Sequence, residues 1–229
     1  MSHKLLYMFG RILVRAYASM MLRLDIHWNN ALPSGPKLFV ANHPSATDPF
    51  LIHLVSHQPM SVMITAKAFA VPMFGDFLHR LKQIPVGEGE GGASLGEARC
   101  AIERGRSVAI FPEGQFSPQG GGFHPPRSGA ARLALATGVP VVPVGIYLPR
   151  ERSIRITSGI SGKQTTGYWY LRGPYGITVG QSLNYLGDAE DHEYVQSVSH
   201  AIMGHIRLLA YESEQRTRRR KLKLAGSPA

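Results

Sequence analysis

A histidine and an aspartate stand five positions apart in Asn42-His43-Pro44-Ser45-Ala46-Thr47-Asp48. Histidine acts as a general base near neutral pH when one ring nitrogen faces the substrate proton and the other donates to an orienting acceptor. A tight turn over the four intervening residues brings the Asp48 carboxylate back to His43. Pro44 and Pro49 stiffen that turn. Ser45 and Thr47 are the hydroxyls at hand for a Ser-His-Asp triad, but the backbone makes so local a triad awkward. A dyad that activates a substrate hydroxyl is simpler. A metal site is the other chemistry these residue types allow, through His43, Asp48, His53 and His57. His53 and His57 are spaced i, i+4 and would share a helix face. No Glu follows His53, however, as the H-E-x-x-H pattern requires, and no metal is expected.

A second loop carries chemistry in Phe111-Pro112-Glu113-Gly114-Gln115-Phe116-Ser117-Pro118. Gly114 permits an unusual backbone angle or the close approach of a substrate. Glu113 has no cationic neighbour in sequence, which leaves it to orient a hydroxyl or to cap a helix. Gly87, Gly89 and Gly92 formally match G-x-G-x-x-G. Glu88 and Glu90 would set two negative charges where a pyrophosphate must sit, which argues against dinucleotide binding.

The elements that must position these loops alternate between strand and helix. Strands are expected at KLFVAN, MSVMITA, QIPV, SVAIF and VPVVPVGIYL. Helices are expected at PFLIHLVSH, VPMFGDFLHRLK, ASLGEARCAIERG ending at Gly105, RSGAARLALATG ending at Gly138, and the final amphipathic stretch from Asp188. Residues 150–187 read as irregular loops with short strands, including YWYLRG and GITVG. The pattern predicts a single α/β domain with a mostly parallel central sheet flanked by helices. In such sheets, sites form beyond the carboxyl ends of strands, so the two loops are expected to face one cleft.

The chain has 229 residues, enough for one sizeable core. Its single cysteine, Cys100, excludes a disulfide framework and a zinc–cysteine cluster, and it reads as a small core residue on a helix face. The net charge of +10 sits at the ends. Lys4, Arg11, Arg15 and Arg23 precede the first acid, and Arg216, Arg218, Arg219, Arg220, Lys221 and Lys223 follow the last; the middle carries 15 charges of each sign. Basic ends on a neutral body suggest a polyanionic partner. The tail has no aromatic among its charges, so base stacking finds no support and no nucleic acid is expected.

The stretch KLLYMFGRILVRAYASMMLRL places apolar residues at helical spacing, with Arg11, Arg15, Ser19 and Arg23 along another side. Its arginines argue against a membrane span and a cleavable signal. A helix lying in the membrane interface is expected, packed on the domain as well. The organisation expected is an amphipathic membrane-interface region at 1–30, a catalytic domain at 31–215 and a basic, disordered tail at 216–229.

Four ordered blocks between residues 36 and 147 resemble the glycerolipid acyltransferases, whose best-known members are the 1-acylglycerol-3-phosphate O-acyltransferases. N-H-x-x-x-x-D is Asn42 to Asp48; a G-x-F-x-R…I-P-V-x-R-like block runs from Gly75 to Glu88; F-P-E-G-T-R-S is similar to Phe111 to Ser117; and a V-P-V stretch is similar to Pro140 to Ile146. The resemblance implies acyl transfer from an acyl thioester, on coenzyme A or acyl carrier protein, to a lysolipid hydroxyl. It implies that His43 takes the hydroxyl proton and Asp48 orients its imidazole. It places Glu113 and Gly114, with Gln115 and Arg127 beside them, at the acceptor. It implies no metal or other cofactor, and a location at the cytoplasmic face of the cell membrane.

Two departures bear on the acceptor. The family's second block usually ends in arginine, where this chain has Glu88. Its third block usually has Thr-Arg, where this chain has Gln115-Phe116. A guanidinium fork is the natural partner of a phosphate monoester. Arg80, Lys82 or Arg127 stands in for the lost arginines, or the acceptor lacks a phosphate monoester, as a lyso-aminolipid does. A non-catalytic lipid-binding protein is the alternative from another class.

Overall fold

The computed structural model describes residues 3–160 and 163–225. The first helix, α1 (His3–Met21), leads directly into β1 (Leu22–Trp28). There follow β2 (Leu38–Ala41), the short α2 (Asp48–Leu51), β3 (Met60–Thr65), α3 (Ala66–Phe69), α4 (Phe74–Arg80) and β4 (Ile84–Val86). The second half holds α5 (Gly91–Glu103), β5 (Ser107–Ile110), α6 (Gly129–Thr137), β6 (Val141–Tyr147), β7 (Ile154–Ile160), β8 (Lys163–Trp169), β9 (Gly173–Val179) and α7 (His192–Ala225).

Seven strands form one sheet in the order β1-β9-β6-β2-β5-β3-β4. Neighbouring strands are parallel except at the β6/β9 seam. The expected mostly parallel α/β architecture is present. Both faces of the sheet are covered, which is why β2, β5 and β6 are near-continuous apolar runs. Alternation sorts their side chains: Phe39, Ala41, Val142 and Val144 enter one core with Ala18 and Leu51, whereas Leu38, Val40 and Val141 enter the other with Ala98, Ala131 and Ile202. Thus α1 and α2 cover one face, and α5, α6 and α7 cover the other.

Several elements differ from expectation. The apolar pattern after Met21 belongs to a strand, β1, whose register runs from Leu22 opposite Gly173 to Trp28 opposite Val179. The central sheet therefore begins inside the 1–30 segment expected to be interface helix. PFLIHLVSH is not one helix: α2 gives way to a single 3₁₀ turn at Ile52–Leu54. His57 lies beyond it, so His53 and His57 share no helix face. Residues 150–187 hold more strand than expected: the antiparallel hairpin β7–β8 stands where mostly loop was read, while the expected strand at GITVG is present as the second half of the fully buried β9. Residues 216–225 continue α7 as helix where a disordered tail was expected. Cys100 is exposed rather than packed in the core.

The amphipathic reading of α1 holds, and its apolar residues divide between the domain and the outside. Tyr7 and Ala18 are buried, and Val14 and Tyr17 pack against the core. Arg11 turns towards the domain, where its guanidinium meets His57 Nδ1 at 3.3 Å. Leu5, Met8, Phe9, Ile12, Leu13 and Met20 point outward, Met20 with 80% of its surface exposed. Among the described residues no helix is long and apolar enough to cross a membrane.

Candidate active site

β2 and β5 are parallel neighbours, with Leu38 opposite Val108 and Val40 opposite Ile110. Their carboxyl ends therefore lie side by side, and the two chemically loaded loops leave from adjacent points, as expected. A side chain fixes the first exit. Asn42 is fully buried; its Nδ2 donates to Ile146 O at 2.8 Å and its Oδ1 accepts from Ile146 N at 2.7 Å. The amide pairs with β6 as a backbone unit would and sets the direction of the next residue.

That residue is His43. Its Nδ1 lies 2.9 Å from Asp48 Oδ2. Asp48 is fully buried at the start of α2, and Oδ2 also accepts from Ser45 N at 2.8 Å. Its other oxygen accepts from the Tyr175 hydroxyl at 2.6 Å. A carboxylate only accepts, so Nδ1 carries the proton and Nε2 bears the lone pair. Nε2 has no partner among the described residues, and 15% of the His43 side chain is exposed. Burial and the adjacent Asp48 charge push the Tyr175 phenol well above its ordinary value, so Tyr175 remains a donor. The dyad expected from sequence is in place, with a third member that lies 127 residues further along the chain.

Ser45 and Thr47 are not nucleophiles here. Both are buried, and their hydroxyls bond each other at 2.7 Å and the backbone around Tyr168 and Tyr170. They fasten the catalytic turn to the end of β8.

Of the two roles its residue type suggested, Glu113 caps no helix, and the hydroxyl it orients is that of Ser117. Glu113 is 1% exposed, and all of its donors come from the protein. Oε1 accepts from His43 N at 3.1 Å and Ser117 Oγ at 2.5 Å; Oε2 accepts from His124 N at 2.8 Å. Ser117 N donates to His43 O at 2.8 Å and completes the junction. Glu113 thus locks the second loop to the backbone of His43. Gly114 has φ +63°, and the Arg127 side chain lies where a Cβ would project. Gln115 and Arg127 are exposed at the rim.

Aromatic groups wall the dyad. Phe111 stacks on the imidazole at 4.3 Å between centroids and 21° between planes, and Phe116 tilts against it at 4.6 Å. Tyr168 meets Phe116 edge-on at 6.0 Å. Phe116 therefore occupies, with an apolar ring against the base, a position where an arginine was expected. Glu88, at the other such position, is 80% exposed and pairs with Lys67 at 2.9 Å.

Arg150 escaped the sequence reading. It follows β6, and its guanidinium donates to Pro118 O and, at 3.1 Å, to Gly122 O. Burial lowers its affinity for its proton, while the Glu113 and Asp48 carboxylates oppose that shift. A basic residue just past a strand that was already expected was the available signal. Tyr175 offered none, because it lies just ahead of the expected strand GITVG and 127 residues from Asp48.

Adjacent parallel strands thus deliver an oriented imidazole and a second, carboxylate-fastened loop to one edge, with no protein nucleophile between them. The arrangement leaves the lone pair of His43 Nε2 open towards an incoming group. The family model described as Acyltransferase matches residues 23–147, and the chain belongs to that family. It is 30% identical over 132 residues to a lyso-ornithine lipid O-acyltransferase of Pseudomonas aeruginosa, covering 57% of this chain and 50% of that protein. It is 29% identical over 145 residues to 1-acyl-sn-glycerol-3-phosphate acyltransferase BAT2, chloroplastic, of Brassica napus, covering 59% of this chain and 42% of that one. The chain thus spans about half the length of the curated relatives it matches. The crystal structure of the 1-acyl-sn-glycerophosphate (LPA) acyltransferase PlsC of Thermotoga maritima shares the fold, with a TM-score of 0.59 at 20% identity over 88% of this chain and 78% of that one.

Proposed function

We propose that this protein transfers a fatty acyl group from an acyl thioester to a hydroxyl of a lysolipid. The observation that carries the reading is the His43 imidazole, held through Nδ1 by buried Asp48 and open at Nε2. Nε2 takes the acceptor's hydroxyl proton as the oxygen attacks the thioester carbonyl carbon. The tetrahedral adduct collapses, the carbon–sulfur bond breaks, and the thiolate leaves with the proton held by His43. The ester oxygen comes from the acceptor, and no covalent enzyme intermediate forms. Base catalysis of this kind contributes roughly 10²–10⁴-fold. The aromatic wall of Phe111, Phe116 and Tyr168 supports an apolar chain near the reacting carbonyl. The exposed Arg127 lies across the loop where an acceptor headgroup would enter.

The outward apolar face of α1 and the basic chain ends support a bilayer surface as the place of work. The acceptor on this reading lacks a phosphate monoester. Phe116 lies on the imidazole and Glu88 is paired with Lys67, so neither position supplies a guanidinium fork. The named activity of the Pseudomonas relative is of this kind.

Purified protein should acylate a lysolipid from a labelled acyl thioester, and a lyso-aminolipid should be a better acceptor than lysophosphatidic acid. Preference for lysophosphatidic acid over every zwitterionic or uncharged acceptor overturns the acceptor assignment. His43→Ala should remove transfer, by about 10²-fold or more, while the circular dichroism spectrum stays that of the parent. Surviving activity would show that His43 is not the base.

A further inference from the structure

A groove of about 780 Å³ opens on the edge of the sheet opposite His43. Its floor is built where strands begin: Ser61 on β3, Ile84 on β4 and Arg106 just ahead of β5. Tyr7 of α1 and Cys100 of α5 form parts of its walls. The dyad stands beyond the other ends of these parallel strands, so the groove is a separate place in the molecule. Its size falls within the roughly 300–1,000 Å³ range of small-molecule sites.

The charge of the groove is out of balance. Lys82, Arg104 and Arg106 line it, against one acid, Glu97. Arg106 is half-buried, and its guanidinium meets only neutral oxygens: Ser61 Oγ at 3.1 Å, and Met60 O and Leu81 O at 3.2 Å each. Among the described residues no carboxylate pairs with any of the three cations. Partly desolvated charges are ordinarily paired. Burial lowers the proton affinity of Arg106, and no carboxylate opposes that shift. Lys82 shows strain of another kind. It closes α4, with its N–H donating to His79 O and that of Gln83 to Leu78 O, and it does so at φ +58°. Glycine is the usual residue in that conformation. Here the position carries a cation at the lip of the groove. The remaining lining is largely apolar, from Ile84, Ala101 and the Tyr7 ring.

We propose that this groove binds a single-chain anionic amphiphile, its headgroup on Lys82, Arg104 and Arg106 and its chain along Tyr7 and Ile84. The site is independent of the acyl-transfer reading, because it shares no residue with the dyad.

Cys100 is the chain's one cysteine, it is exposed, and it lines the groove, so its alkylation by a maleimide reports occupancy there alone. Sub-micellar dodecyl phosphate should slow the alkylation about fivefold or more at saturation, as a ligand that covers the thiol must. Inorganic phosphate and dodecyl maltoside at the same concentration should leave the rate within about twofold, because each carries only half of the recognition. His43→Ala protein should be protected as well as the parent, which separates this site from the catalytic one. Lys82→Glu with Arg104→Glu, two exposed positions, should lose the protection while keeping the parent's thermal midpoint. Equal protection by dodecyl maltoside, equal protection by inorganic phosphate, protection that survives the double substitution, or none by dodecyl phosphate overturns the proposal.

Discussion

His43 is held by more than its partner in sequence. The imidazole answers to Asp48, Asp48 to the Tyr175 hydroxyl, and the His43 backbone to Glu113 and Ser117. Tyr175→Phe leaves one oxygen of a fully buried carboxylate without its donor, a change that costs about 1–3 kcal/mol. We expect kcat to fall about tenfold. The imidazole loses part of its alignment while substrate binding is untouched, so the loss should fall on kcat with KM near the parent's. A kcat equal to the parent's would reduce Tyr175 to packing. His53 makes a second prediction. It is half-buried with the Tyr7 hydroxyl at 3.1 Å, and burial, with Arg106 and Arg11 nearby, pushes it down to about 4. In the unfolded chain it titrates near 6.5. Between these values the unfolded state binds more protons, so the contribution is full above about pH 6.5 and is lost as pH falls towards about 4, to the extent of roughly 3 kcal/mol. Urea midpoints at pH 7 and 4.5 should therefore separate further for the parent than for His53→Gln. Equal separations would show that His53 does not set the acid sensitivity.

The legible elements are those whose pattern had one explanation. β2, β5 and β6 are short apolar runs bounded by turns, and α5 and α6 end at the expected Gly105 and Gly138. The dyad was legible for the same reason: six residues of one turn contain both groups, and a local turn has few ways to close. β1 was not, because Leu22 and Leu24 continue the spacing of α1, and only pairing with β9 makes them a strand. β9 was legible only in its second half, GITVG, where Gly176 admits α7: a Cβ there would meet Thr217. Gly145 shows the same logic on β6: a Cβ there would meet the backbone of Leu209 and Ala210 on α7. Gly145→Ala should therefore part strand from helix and lower stability by about 3 kcal/mol or more, read as a drop in thermal midpoint. An unchanged midpoint would mean that α7 yields freely. The role of Glu113 was hidden for another reason. Its three donors come from His43, Ser117 and His124, and no spacing rule joins those residues.

Taken whole, the molecule has a neutral body between two basic ends. Leu5, Phe9, Ile12 and Met20 on the outer face of α1 add exposed apolar area to one flank. A surface of this composition should sediment with vesicles that contain anionic lipid and be released as salt rises towards about 1 M, where the Debye length is about 3 Å. Replacing Phe9 and Ile12 by Ser should weaken sedimentation while leaving turnover of a water-soluble, short-chain acceptor near the parent's. Loss of both together would mean that the outer face of α1 supports the fold. The seam at β6/β9 explains how the ends relate to the chemistry. β1 and β9 run against their five companions, so they begin on the edge where β2, β5 and β6 finish. Helix α1 therefore ends, and α7 passes Thr217 beside Gly176, on the side of the dyad.

The Asn42 amide carries a consequence for the ageing of the protein. Spontaneous deamidation would exchange its Nδ2 for a carboxylate oxygen, which would then face Ile146 O with two acceptors and no proton between them. The chain would keep its length and lose the clamp that aims His43. A preparation could thus grow inactive in storage with no fragment on a gel, its mass heavier by a single dalton-scale step at one buried side chain.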